Sequence, residues 1–357
     1  MDKIIDYQHS LFPDLTAEFP STRYQGSKAK IVDWIWEQIK HLNFHSCLDA
    51  FGGTGVVAYR LKQEKKEVTY NDVLRFNYYI GLALIENDQI RLKPEEINWI
   101  LKKHSDIKYP HFVQDNFQDI YFTDEENAWI DQTITNIRQF TDPYKFSLAF
   151  FALCQACIIK RPYNLFHRKN LYLRFAKVDR SFGNKTTWDK SFEYWFRYFA
   201  AEINRAVFNN DQKNKAVNFD AIDIPGEYDL AYIDTPYISK KGVSVDYLWF
   251  YHFLEGLTIY DKWDKFIDHR FKHRPLKKQP SEWTDKKRVL NAFDQLFDKY
   301  KNCILVVSYR SDGIPSEKEL FSLLRRYKNN IQTTHFGQYK YVLSTNTKSK
   351  EILIIGT

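Results

Sequence analysis

Residues 229–237 read DLAYIDTPY, an apolar run that stops at an acid followed by Thr-Pro-Tyr. Leu230, Ala231, Tyr232 and Ile233 have the composition of a short buried strand. Ligands of open α/β sheets bind outside the carboxyl ends of the strands, so Asp234 and Tyr237 are expected to project from a rigid edge into a crevice. Within four residues the chain offers the Asp234 carboxylate, the main-chain carbonyl of Thr235, a backbone direction fixed by Pro236 and the planar ring of Tyr237. Two acceptors suit two amino protons and a ring suits stacking, so this stretch can hold a planar base that bears an amino group. A strand ending in a proline-containing turn would use the same residues, and the rest of the chain decides between the two.

Two further strand ends lie upstream. Residues 46–51 read as a strand carrying Asp49 and Phe51, followed by a tight turn at Gly52, Gly53 and Gly55 and a helix over 56–62. A second strand ends at Asn71-Asp72, about 20 residues beyond the glycine turn, where a nucleotide-binding βαβ unit places the partner of its ribose hydroxyls. The turn is shorter than the dinucleotide fingerprint, which points to a nucleoside ligand without a pyrophosphate. Nearer the N-terminus, after an arm over residues 1–22, RYQGSK at 23–28 opens a helix with Ile31, Trp34, Ile35 and Ile39 on one side. Free backbone N–H groups at Gly26 and Ser27 and the charge of Lys28 suit a small carboxylate.

The middle of the chain reads as helical, over 82–90, 94–103, 124–140, a buried helix over 146–159, and 191–207. Pro162 breaks the buried helix inside KRPYNLFHRKN at 160–170. Lys160, Arg161, Tyr163, Asn164, His167, Arg168 and Lys169 make this loop suited to phosphates and bases, although a solvated helix end would look much the same. A strand over 217–219 ends at Asp220, and aromatic helices over 247–260 and 261–266 follow the DLAYIDTPY stretch. A second basic run, beginning at Arg270, Lys272 and Arg274, reaches Arg288. Strands over 303–308, 332–339, 341–344 and 351–355, with a helix over 316–327, close the chain, the last strands as an antiparallel edge.

Composition agrees with this layout. The 357 residues are 44% hydrophobic and 27% charged with 12 Gly and 11 Pro, a globular rather than disordered balance. A net charge of +7 and 17% aromatic residues favour a polyanionic partner. Four scattered cysteines make no disulfide framework, and Cys154 and Cys157 lack a second pair for a zinc site. No apolar run approaches the ~18 residues of a membrane span, so a cytoplasmic protein without membrane or metal is expected.

Taken in order, RYQGSK at 23–28, FGGTG at 51–55, ND at 71–72 and DTPY at 234–237 resemble the motifs of the Dam-like class of DNA adenine-N6 methyltransferases, over most of the chain. Thr235 departs from that class, which has proline there. The resemblance implies an α/β fold, a Rossmann-like doubly wound and mainly parallel sheet with a helical target-recognition insertion. It implies a catalytic domain at 1–90 and 216–357, a recognition segment at 91–215 and a DNA-binding loop at 238–290. It implies S-adenosylmethionine as cofactor, with Tyr24, Gly26, Ser27 and Lys28 by its carboxylate end and Asp49 at its amino group. Phe51, Gly52, Gly53 and Gly55 would then lie under the nucleoside, Asp72 at the ribose, Asp220 near the adenine and Asp234 beside the methyl group. Asp234, Thr235, Pro236 and Tyr237 would carry catalysis on a flipped-out adenine of double-stranded DNA, and a cognate restriction endonuclease is left open as partner. Competing readings are an RNA adenine or DNA cytosine-N4 methyltransferase, a small-molecule methyltransferase, and a catalytically silent nucleic-acid-binding module.

Overall fold

The structure, a computed structural model, describes residues 17–176, 185–337 and 349–357. Most of the expected N-terminal arm and the expected strand over 341–344 lie outside these residues. Among the described residues seven strands form one sheet: β1 (Ser46–Asp49), β2 (Glu67–Asn71), β3 (Lys215–Val217), β4 (Leu230–Ile233), β5 (Ile304–Arg310), β6 (Ile331–Phe336) and β7 (Glu351–Gly356). Their order is β3-β2-β1-β4-β5-β7-β6. The first five run parallel, and β7 lies antiparallel between β5 and β6.

The residues of β4 are all buried because both faces of the sheet are covered. Leu230 and Tyr232 enter one core with Cys47 of β1, Val306 of β5 and Leu353 of β7. Ala231 and Ile233 enter the other, with Leu48, Val307 and Ile354. Alternation along each strand thus divides the molecule into two packed layers around a doubly wound sheet.

The first layer holds α1 (Val32–Ile39), α2 (Val56–Gln63) and α3 (Arg75–Gly81), which continues as a π turn at Leu82–Glu86. The helix expected over 82–90 therefore starts earlier. Its first two free N–H groups, on Arg75 and Phe76, both donate to the carboxylate of Glu255 at 3.1 Å, which caps it from a distant segment. Then come α4 (Pro94–Leu101), α5 (Phe112–Asn116), α6 (Asp124–Ile137), α7 (Pro143–Ile159), α8 (Tyr172–Phe175), α9 (Lys185–Asp189) and α10 (Phe192–Ala206). Of these, α7 is buried on every side from Ser147 onward, as its apolar sequence requires. Asp142 fixes its start by accepting from the N–H groups of Tyr144 and Lys145. After β4 come α11 (Tyr247–Thr258) and then α12 (Val289–Lys299) and α13 (Glu317–Leu324) on the second face.

The strand expected over 217–219 is displaced to β3, which ends at Val217. Beyond that point the Asn71 side chain takes the place of the ladder, accepting from Phe219 N at 2.9 Å and donating to Phe219 O at 3.2 Å. From β1 the chain winds outward through β2 to β3, and from β4 outward to β5, so the β1/β4 pair is the point where strand order reverses. A crevice opens there, at the carboxyl edge.

Candidate active site

A cavity of about 870 Å³ occupies that crevice, within the range of small-molecule sites. Asp49 from the end of β1, Asp72 beyond β2 and Asp234 beyond β4 all line it. So do Tyr24, Gly26, Ser27, Lys28, Phe51, Gly52, Gly53, Asp220 and Pro236. The structure thus brings together residues that the sequence places more than two hundred positions apart. Gly55, Thr235 and Tyr237 do not reach the wall.

Asp49 is 1% exposed, and neither of its carboxylate oxygens has a well-formed hydrogen bond. Burial, reinforced by the charge of Asp234, pushes its pKa up to about 8. The backbone N–H groups of Ala58 and Phe51 oppose the rise only weakly; a buried acid so poorly held is costly, and a cationic ligand in the cavity would satisfy it. Asp72 is held differently: Gly53 N donates to Oδ2 at 2.9 Å, Leu74 N to Oδ1 at 2.8 Å and Asn77 Nδ2 to Oδ2 at 3.1 Å. Burial still pushes its pKa up to about 6. Its orientation is fixed before any ligand arrives.

The glycine turn has two functions. A Cβ on Gly52 would strike the Tyr70 ring, so this glycine serves packing on one side while it lines the cavity on the other. Gly53, at φ +52°, has only Tyr24 within 4 Å of a built Cβ and leaves the backbone open to the cavity. Gly55, at φ +76°, is the N-cap of α2.

Around Asp234 lies a buried ionic network. Lys28 Nζ stands 2.9 Å from Asp234 Oδ1 and 3.0 Å from Glu351 Oε1. The Tyr237 hydroxyl lies 2.8 Å from Asp234 Oδ1 and 2.7 Å from Glu351 Oε1, and also meets Lys28 Nζ. Burial pushes the Asp234 pKa up to about 6; Lys28 opposes the rise and Glu351 adds to it. Two expectations change here. The Lys28 ammonium is engaged by internal acids instead of standing free for a ligand carboxylate. Tyr237, 6% exposed, packs its ring edge-on to Tyr309 at 5.1 Å rather than presenting a face. Its hydroxyl is drawn inward because buried charges need donors.

The sequence reading missed three wall residues. Trp283 packs edge-on to Phe51 at 4.9 Å. Tyr247 stacks on Tyr24 at 5.6 Å and occupies the space a Cβ on Gly26 would need. Glu255, pushed up to about 7 by burial, joins the wall while capping α3. Aromatic richness near 247–251 was a signal for Tyr247. Trp283 and Glu255 carried none, since neither adjoins a strand end.

The basic loop divides. Lys160 is buried, 2.8 Å from Glu126 Oε1, and donates to the main-chain oxygens of Trp188 and Lys190. Arg161, 1% exposed, donates to Leu165 O, Tyr121 O, Arg168 O and Asn170 Oδ1. Both therefore hold the loop together from inside, which corrects their expected contact with nucleic acid. His167 is half-buried, and burial together with Arg168 pushes its pKa down to about 4, so the ring is neutral at ordinary pH. Arg168 and Lys169 are exposed, as is Tyr163 at 51%; Asn164 is half-buried. Tyr172 and Phe175 of α8 expose further aromatic surface near them in sequence. In the second basic run Arg270 is exposed but paired with Asp268 at 2.6 Å, Lys272 is exposed, and half-buried Arg274 meets His269. Among the described residues no group of three or more His, Cys, Asp or Glu is placed to hold a metal ion, and no helix is long and apolar enough to cross a membrane.

Comparison with known proteins agrees with this geometry. Residues 24–300 match the family model of the D12 class N6 adenine-specific DNA methyltransferases. The chain is 29% identical over 341 residues to the type II methyltransferase M2.HphI of Haemophilus parahaemolyticus, covering 93% of this chain and 96% of that protein. It is 28% identical over 324 residues to the type II methyltransferase M.FokI of Planomicrobium okeanokoites, covering 85% of this chain and 47% of that protein. It is 22% identical over 338 residues to the type II methyltransferase M.NlaIII of Neisseria lactamica, covering 92% and 95%. The chain thus spans nearly the whole of two of these relatives and about half of the third. With the matched region running from Tyr24 through Asp234 to Tyr300, this chain belongs to the D12 class of N6 adenine-specific DNA methyltransferases.

Proposed function

We propose that this protein methylates the exocyclic N6 of adenine within a specific sequence of duplex DNA, with S-adenosylmethionine as methyl donor. One observation carries the reading. Asp234, an acceptor at the end of β4, shares a cavity with Asp49, a buried acid approached, among the described residues, only by the backbone N–H groups of Phe51 and Ala58, neither in well-formed geometry. Amino-group recognition and a demand for a cation are thus adjacent.

The residues fit the donor on chemical grounds. Asp49 suits an α-ammonium group, and Asp72, already oriented by Gly53 N, has lone pairs left for ribose hydroxyls. Gly26 and Ser27 would lie by the carboxylate, Phe51 and Gly53 beneath the nucleoside, and Asp220 near the adenine. When bound, the donor supplies an electrophilic methyl group on a sulfonium.

The chain's own part is to prepare the acceptor. The lone pair of an adenine amino group is delocalised into the ring, which makes the nitrogen a weak nucleophile. Accepting an amino hydrogen at Asp234, which lines the cavity, draws the nitrogen towards tetrahedral geometry and holds it in line. As the N6–carbon bond forms, the nitrogen sheds one proton, and Asp234 is the base in contact with it. The adenine must leave the duplex to reach the crevice, and loss of its stacking costs a few kcal/mol. Residues 1–90 and 216–357 form the catalytic domain in this reading, with target recognition in 91–215 and the loop 238–290. The type II names of the relatives support a cognate restriction endonuclease as partner.

Transfer of labelled methyl from S-adenosylmethionine to unmethylated duplex DNA, followed by nucleoside analysis, tests the proposal. N6-methyladenine is the expected product, and Asp234→Ala is expected to abolish it while cofactor binding persists. N4-methylcytosine, label on RNA alone, or full activity in Asp234→Ala would overturn the reading.

A further inference from the structure

Glu351 lies outside the residues that the family model matches, at the first position of the apolar strand expected over 351–355, with no signal of a role in the site. It begins β7, opposite Arg310 of β5, and is fully buried. Its Oε1 is 2.7 Å from the Tyr237 hydroxyl, 2.7 Å from Ser308 Oγ and 3.0 Å from Lys28 Nζ. Two carboxylates, Asp234 and Glu351, therefore share one ammonium and one phenolic proton, and Glu351 alone also receives the Ser308 hydroxyl.

That arithmetic has a consequence for Asp234. A tyrosine hydroxyl has a single proton to donate, and it stands within hydrogen-bonding distance of both acids. If Glu351 takes it, Asp234 Oδ1 keeps a lone pair for an incoming amino hydrogen. Without a second carboxylate, both the hydroxyl and the ammonium would turn to Asp234 and occupy the acceptor that the substrate needs.

We propose that Glu351 is a positioning residue for methyl transfer: by taking the Tyr237 hydroxyl and sharing Lys28, it leaves Asp234 available as an acceptor in the cavity. The inference rests on the reading of Asp234 as the acid that receives the adenine amino group. No covalent bond changes at Glu351. It acts through Tyr237 and Lys28.

Glu351→Gln tests this, because it preserves shape and an acceptor for Tyr237 while removing the charge that shares Lys28. Expected is a fall in kcat of about 10- to 100-fold, with KM for cofactor and DNA changed by less than about threefold. The acid limb of the kcat profile is expected to move to lower pH. Asp234 is faced by Lys28, Tyr237, Glu351, Tyr232, Tyr247 and Asp49, and of these Glu351 is the like charge the variant deletes. A merely structural role would lower the melting temperature and leave that limb in place. Wild-type kcat, or a lower kcat with an unmoved limb, would overturn the proposal. If Glu351→Gln does not fold, Glu351→Asp decides: it keeps the charge, withdraws it by one methylene, and should lower kcat with the limb retained, whereas wild-type kcat refutes the idea. Asp234→Asn run in parallel separates the two levels. Its retained activity would sink the site itself, whereas an inactive Asp234→Asn beside an unaffected Glu351→Gln sinks only the inference.

Discussion

Asp49 and Arg161 are both ionisable and both 1% exposed, yet their surroundings are opposite. Among the described residues the Arg161 guanidinium makes four hydrogen bonds, all to protein oxygens supplied by Tyr121 and by its own loop. The Asp49 carboxylate has no well-formed hydrogen bond and faces the cavity at the strand-order reversal. Folding tolerates a buried charge when partners surround it and is opposed by one left alone. A buried acid held this weakly beside a cavity marks where a ligand would complete the structure, whereas Arg161, satisfied and away from the cavity wall, marks scaffold. Charge sign along the sequence does not distinguish the two.

The largest effect expected from this contrast is on Arg161. Arg161→Ala removes the donor from four oxygens and opens a cavity, and should lower stability by about 3–5 kcal/mol. Urea unfolding followed by fluorescence measures it. Arg161→Met, which restores volume, should recover only part of the loss, since the acceptors stay unpaired. DNA affinity of the folded fraction should stay within about threefold of wild type. An unchanged urea midpoint together with lost DNA binding would invert the comparison and make Arg161 a contact after all.

A smaller effect of opposite sign is expected at Asp49. Its pKa is raised in the fold from 3.8 to about 8, so the native state holds a proton that the unfolded chain releases. The associated stability is complete below about pH 4 and is lost as pH rises through about 8. Asp49→Asn cannot ionise, so the cofactor-free variant should be more stable than wild type by roughly 1–3 kcal/mol near pH 9 and lose that slope. The same change should weaken S-adenosylmethionine binding by about 10- to 100-fold, through loss of a charge-assisted contact. Thermal melts across pH and calorimetric titration read the two arms. A stabilised variant that binds as wild type would place the cation elsewhere.

This pairing also explains what the sequence disclosed. Strand ends were legible because an apolar run that stops at an acid is a local signal: Asp72 and Asp234 ended such runs, whereas Asp49, placed inside the strand expected over 46–51, ends β1 in the structure. The sheet was legible for the same reason, down to its antiparallel edge. The reading of Lys160 and Arg161 fails because direction, inward or outward, depends on Glu126, Trp188 and Asn170, which surround the two side chains only after α6, α7 and α9 pack. Tyr237 was given a stacking role by its neighbours in sequence, whereas its hydroxyl is claimed by Lys28 and Glu351 across the sheet. Trp283 and Glu351 were invisible for the converse reason. Each reaches the site from a remote segment, and no local pattern records that journey.

The smallest effect separates the exposed half of the basic loop from its buried half. Arg168 and Lys169 are open to solvent, so Arg168→Ala and Lys169→Ala should leave stability within about 0.5 kcal/mol. If they meet phosphates, each substitution releases about one fewer counterion, and the slope of log affinity against log salt should fall by about 1. Lys160→Ala is the contrasting variant: it should lower stability by breaking the Glu126 pair and leave the salt slope unchanged. DNA titrations between about 50 and 200 mM salt resolve the difference, because affinity of a multi-phosphate contact changes steeply over that range. Should Lys160→Ala flatten the slope while Arg168→Ala and Lys169→Ala do not, burial in the free protein would not predict which charges reach DNA. The loop would then have to turn itself outward on binding, at the cost of the ion pair that Lys160 makes with Glu126.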